Sequence, residues 1–119
     1  MQQPADGESG TYLERFSAGL AFSQQIMDGS NPDLQCSNDI KLKLYGLFKQ
    51  SIMGDCTQSK PDIGGRAGAV AVAKWKAHCD NKGTSRSDAM QKFVAELDAL
   101  FPDWMAIHKL QVQHWQQLK

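Results

Sequence analysis

What most constrains this chain is the spacing of its apolar residues. They recur every three or four positions in each long segment and nowhere alternate with polar ones over a useful length. That period is the repeat of a helix face, not of a half-buried strand. The expected fold class is therefore all-α, a small helical bundle. Thr11 and Glu14 have capping-box spacing, which predicts a helix over 12–27 with Leu13, Phe16, Leu20 and either Ser23 or Ile26 on one face. MDGSNPD at 27–33 reads as a loop. Ser37 or Asn38 caps a second helix, whose stripe is Ile40, Leu44, Leu47, Phe48 and Ile52, and Gly54 ends it. After a polar connection containing Pro61, a third helix over 67–80 is rich in alanine and glycine, so it can pack close to a neighbour. Ser85 caps a fourth, with Met90, Phe93, Val94, Leu97, Leu100 and Phe101 inward. Pro102 breaks it, and Asp103 opens a fifth segment with Trp104, Ile107, Leu110 or Gln111, Trp115 and Leu118 on its apolar side.

At 119 residues the chain is one domain's length. Residues 1–10 lack periodicity and are expected to be disordered, 11–101 form the domain, and 102–119 are a helical extension. Lys and Arg number 13 and Asp and Glu number 13, so the charges cancel. This excludes a general nucleic-acid binder but leaves room for a few lysines serving one phosphorylated ligand. Cys36, Cys56 and Cys79 form no Cys-x-x-Cys pair and read as reduced thiols. Adjacent helical residues point about 100° apart, so His78 and Cys79 do not share a metal and no metal site is expected. No apolar run reaches the roughly 20 residues that span a bilayer, and MQQPADGESG lacks the features of a secretory signal. A cytoplasmic location is expected.

Chemistry concentrates in LKLYGLFKQ at 42–50. Tyr45, Phe48 and Lys49 stand at i, i+3 and i+4 and share a helix face. Rings beside an ammonium can stack a flat heterocycle and neutralise a phosphate, although spacing alone fits core aromatics with a snorkelling lysine better. In AKWKAH at 73–78, Lys74 and Lys76 flank Trp75, and Phe93 reads first as core. Nucleophile-elbow, metalloprotease and phosphate-loop motifs are absent, and DIGGRAG at 62–68 follows no strand.

These motifs occur in an order that resembles the acyl-CoA-binding protein family: YGLFKQSIMGDC at 45–56, Pro61, AKW at 73–75 and GTSRSDAMQKFVAEL at 83–97, preceded by FSAGLAFSQQI at 16–26. The resemblance covers about residues 12–100. It implies a four-helix, up-down-down-up bundle with a ligand bowl, extended here by a C-terminal helix. It further implies that Tyr45 lies against the adenine and ribose of CoA, and that Lys49 and Lys74 bind the ribose 3'-phosphate. Phe48 and Phe93 take positions often held by Tyr, Leu42 faces the acyl chain, and Trp75 supports the groove floor. The chain departs from the pattern at Gln24 and Val70, where the family often has lysine, and at His78, where a second Trp is usual. Arg66 is placed to replace a missing cation.

The function so implied is a non-enzymatic carrier of medium- to long-chain acyl-CoA esters, with no cofactor and no catalytic residue. The alternative is a helical interaction module of the same fold with weakened ligand binding. A monomer is expected, without nucleic acid or a transmembrane segment. The last helix is expected to pack on the bundle, or else to contact a lipid-metabolic enzyme or a membrane surface.

Overall fold

The computed structural model describes the backbone of residues 3–117 and side chains from Tyr12 onward. Among these residues there are five helices and no strand: α1 (Gln3–Met27), α2 (Asn38–Met53), α3 (Gly65–Cys79), α4 (Arg86–Leu100) and α5 (Trp104–Gln117). Helix α1 runs from Gln3, well upstream of the expected start at 12, so residues 3–10 of the stretch read as disordered are helical and Thr11 lies inside the helix. Of the two candidates Ser37 and Asn38, Ser37 is the cap of α2, its Oγ accepting the Ile40 N–H at 3.2 Å, and Ser85 caps α4 as read, its Oγ accepting the Asp88 N–H at 3.1 Å. Gly54 ends α2 at a φ of 77°, a conformation that favours glycine.

Helix α2 is central, packing α3 on one side and α4 on the other, while α1 lies on α4 and carries α5. The core is Phe16, Phe22, Ile26, Leu44, Phe93 and Leu97, closed by Leu34, Leu47, Val94 and Trp104. Phe22 escapes the sequence stripe of α1, whereas Leu13 and Ile52, both counted in a stripe, are about half exposed (46% and 47%).

Trp104 fastens α5. It is fully buried, its ring centroid 5.6 Å from that of Phe22, and its Nε1 donates to Asp98 Oδ1 at 2.8 Å. Asp98 also accepts from Arg15 Nη2 at 2.7 Å, so one carboxylate ties α1, α4 and α5 together. Gly19 leaves the room: a Cβ there would press on Leu97. The tail of α5 differs from expectation. Trp115 and Leu110 point outward, 50% and 66% exposed, while Gln111 exchanges side-chain amide hydrogen bonds with Gln25 at 3.0 and 3.1 Å. Leu118 lies outside the described residues.

The expectation of three reduced thiols is corrected for two of them. Cys56, in the loop after α2, is disulfide-bonded to Cys79, the last residue of α3, with Cα atoms 5.0 Å apart. Their separation of 23 positions hides this pairing from the sequence, because only the packing of α3 on α2 brings them together. Cys36 is free and partly buried, and burial pushes its thiol pKa up.

Two stability outcomes follow. Trp104→Ala should cost about 3–5 kcal/mol in chemical denaturation, whereas Trp115→Ala should stay within about 0.5 kcal/mol. Replacing Cys56 and Cys79 with serine should cost roughly 3 kcal/mol, as expected for a loop of this size, with a matching fall in Tm.

Candidate ligand site

Helices α2 and α3 run in the same direction. Their C-terminal ends meet where a His78 ring nitrogen, Nε2, lies 2.7 Å from the Gly54 carbonyl oxygen. Gly46 sits at the crossing, where a Cβ would collide with the Ala77 carbonyl, so the small residues of both helices set their close approach. On the N-terminal side of this contact α2 and α3, with Met27 of α1, line a cavity of about 490 Å³.

Leu42, Tyr45 and Lys41 form the α2 wall of this cavity, and Ala73, Val70 and Lys74 belong to the α3 wall. Tyr45 is the hub. Lys74 Nζ lies 5.4 Å from its ring centroid and Lys49 Nζ 6.0 Å, within cation–π range. Among the described residues no carboxylate lines the cavity. The ion pairs described lie elsewhere: Arg15–Asp98, Lys43–Glu96 and Lys76–Asp80. The result is a half-open apolar trough with several unneutralised cations at an aromatic ring. Such a surface accepts an amphiphile with an anionic, flat head and an apolar body.

Four of the six residues singled out in the sequence come together here: Leu42, Tyr45, Lys49 and Lys74. Phe48 is half-buried and packs on the core, outside the cavity lining. Phe93 is 1% exposed and meets Phe16 edge to face at 5.6 Å, so it belongs to the α1–α4 core and not to the cavity. Trp75 likewise supports a loop instead of a groove floor: its Nε1 donates to the Gln58 carbonyl at 2.8 Å. Lys41 and Asn38 also line the cavity, and the sequence reading missed both. The signal for Lys41 was available, since it stands at i−4 from Tyr45.

A polar knot holds the end of the trough in place. Gln50, fully buried, donates through Nε2 to Asp55 Oδ1 at 2.8 Å and to the Thr84 carbonyl at 2.7 Å. Asp55 Oδ1 also accepts the Gly83 N–H at 2.9 Å. That backbone bond first, and the Gln50 amide second, hold the Asp55 carboxyl below the usual carboxylate range.

The sequence pattern of the acyl-CoA-binding proteins matches residues 14–97. The chain belongs to the acyl-CoA-binding protein family. It is 41% identical over 70 residues to acyl-CoA-binding protein homolog 1 of Caenorhabditis elegans, covering 59% of this chain and 78% of that one. It is 33% identical over 100 residues to acyl-CoA-binding domain-containing protein 4 of Oryza sativa subsp. japonica, covering 83% of this chain but only 28% of that longer protein. The crystal structure of Oryza sativa acyl-CoA-binding protein 2 superposes with a TM-score of 0.60 at 29% identity, over 80% of this chain and 96% of that one. Helices α1 to α4 are the family's four-helix bundle, and α5 lies beyond the matched residues.

The depressed Asp55 carboxyl gives a pH outcome. Its stabilisation is fully present above the ordinary carboxylate range and is lost as pH falls through the lowered folded-state value. Acid unfolding of Asp55→Asn, followed by circular dichroism, should therefore show a weaker loss of stability between pH 5 and pH 2, about the span over which carboxylates titrate.

Proposed function

We propose that this member of the acyl-CoA-binding protein family binds medium- to long-chain acyl-CoA esters in the α2–α3 trough. It acts as a non-enzymatic carrier that buffers and hands on its ligand. The observation that carries this reading is the Tyr45 ring with Lys74 Nζ at 5.4 Å and Lys49 Nζ at 6.0 Å, beside a cavity without a carboxylate. The Tyr45 ring stacks the adenine, and the two ammonium groups hold the ribose 3'-phosphate through charge-assisted hydrogen bonds. Leu42, Val70 and Ala73 then cover the acyl chain, at about 0.8 kcal/mol per buried methylene.

The reading needs no nucleophile or base, and among the described residues no cluster of His, Cys, Asp or Glu could hold a metal. No described helix is long and apolar enough to cross a membrane. Helix α5 stands on α1, away from the trough, so ligand binding belongs to the bundle alone. The exposed Leu110 and Trp115 are the feature that a partner-binding role for α5 would use.

Calorimetry with hexadecanoyl-CoA tests the proposal. Lys49→Ala and Lys74→Ala should each weaken binding by roughly 1.5–3 kcal/mol, the size of a charged hydrogen bond. The loss should shrink with the 3'-dephospho ligand. Equal affinity of the wild-type protein for free hexadecanoate would rule out a CoA-reading site.

A further inference from the structure

Helix α3 is held differently from the rest of the bundle. Among the described residues it gives no side chain to the hydrophobic core, whereas each of the other four helices gives at least one. Its one fully buried residue is Gly68. It packs chiefly on α2, and the connection that leads into it, residues 57–64, is exposed at every position but Pro61. A helix with so little buried apolar surface is the kind of unit that opens locally. What ties it down is gathered at one end, between residues 54–58 and 75–79. His78 Nε2 lies 2.7 Å from the Gly54 carbonyl oxygen, Trp75 Nε1 donates to the Gln58 carbonyl at 2.8 Å, and Cys56 is bonded to Cys79. Only the last of these ties is covalent, and both of its residues are partly exposed, within reach of a small thiol. Lys74, 5.4 Å from the Tyr45 ring centroid, stands five residues before Cys79, about 7.5 Å along the helix. Opening of α3 therefore carries Lys74 away from Tyr45, together with Val70 and Ala73 of the trough wall.

We propose that the Cys56–Cys79 bond is a redox switch on ligand affinity: intact, it keeps α3 docked on α2, and reduced, it lets α3 open and the ligand leave. The inference rests on the acyl-CoA reading given above and adds to it a means of release. The reductant is a dithiol. Its thiolate attacks one sulfur of the bond, forming a mixed disulfide and expelling the other cysteine as a thiolate. The second thiol of the reductant then displaces the remaining cysteine. Two electrons pass from the reductant, which leaves as a disulfide, to the protein, which keeps two thiols. Binding needs both walls of the trough, so the apparent affinity falls with the fraction of molecules in which α3 is docked. The coupling is reciprocal: a ligand that prefers the docked helix protects the bond from reduction.

The test uses the full chain and S-hexadecyl-CoA, a thioether that thiols do not cleave. Calorimetry should show the protein reduced by dithiothreitol binding about tenfold more weakly than the oxidised protein, a coupling of ordinary size. Saturating ligand should then lower the midpoint potential of the cysteine pair by about 30 mV, the equivalent of tenfold for a two-electron couple. In the ligand-free protein, reduction should speed amide hydrogen exchange within residues 65–79 and leave α1 and α4 unchanged. Cys36→Ser should keep all three responses. The protein carrying both Cys56→Ser and Cys79→Ser should bind as the reduced wild type does, with or without the reductant. Equal affinity of the oxidised and reduced forms, even with a lowered Tm, would overturn the proposal and leave the bond a purely structural one. Loss of the whole helical circular-dichroism signal on reduction would overturn it too, because the device is a local opening. If the oxidised protein itself binds no S-hexadecyl-CoA, the acyl-CoA reading falls, and the switch with it.

Discussion

The trough depends on how closely α2 and α3 approach at one point. Gly46 of α2 lies directly against the backbone of Ala77, and a single added methyl would force the helices apart. The crossing falls at the middle of α2 and near the C-terminal end of α3, and the cavity lies on its N-terminal side, between residues 38–45 of α2 and 66–74 of α3. The junction below the crossing is reinforced several times over: by His78 and Gly54, by Trp75 and Gln58, and by the Cys56–Cys79 bond. Helix α3 packs chiefly on α2, so these ties keep its lysine and arginine aimed at the opposite wall. A helix held by one face only would otherwise be the first element to open.

The fold was legible because its signals are local. Helical period, two serine caps and the breaks at Gly54 and Pro102 are written in neighbouring residues, and each marks an element end observed in the structure. The start of α1 was not. Residues 3–10 contain Pro4, Gly7 and Gly10, poor helix formers that nevertheless continue the helix into Gln3. The outer face of α5 was misread for a different reason. Trp104 and Trp115 are equally apolar in sequence, but only Trp104 falls where Gly19 leaves space and Asp98 offers an acceptor.

The candidate site was legible where one helix carries it and illegible where two must meet. Tyr45 and Lys49 share a face by their spacing on α2, but spacing alone favoured a core role; the resemblance gave them, Leu42 and the candidate Lys74 a ligand role, since nothing local relates Lys74 to Tyr45. Phe93 shows the converse. Its place in a family motif suggested a ligand contact, but the amphipathic stripe of α4 had already assigned it to the core, and its burial against Phe16 agrees with the stripe. The disulfide lay beyond any local rule, because a loop and a helix end become neighbours only once the bundle forms.

Net charge conceals the electrostatics of this molecule. Thirteen cations and thirteen acids sum to zero, yet they are not mixed evenly. Asp98 is consumed in docking α5, Glu96 pairs with Lys43, and Asp55 is committed to the Gly83 turn. Each acid so used is withdrawn from the trough, which is left with Lys41, Lys49, Arg66 and Lys74 around apolar walls. A neutral protein thereby presents one strongly cationic, partly desolvated surface, where each charge interacts more strongly than it would in open water. The stabilising contacts of α1, α4 and α5 and the ligand-facing groups of α2 and α3 are separate sets of residues. Substitutions in the trough can therefore change its charge without loosening the core.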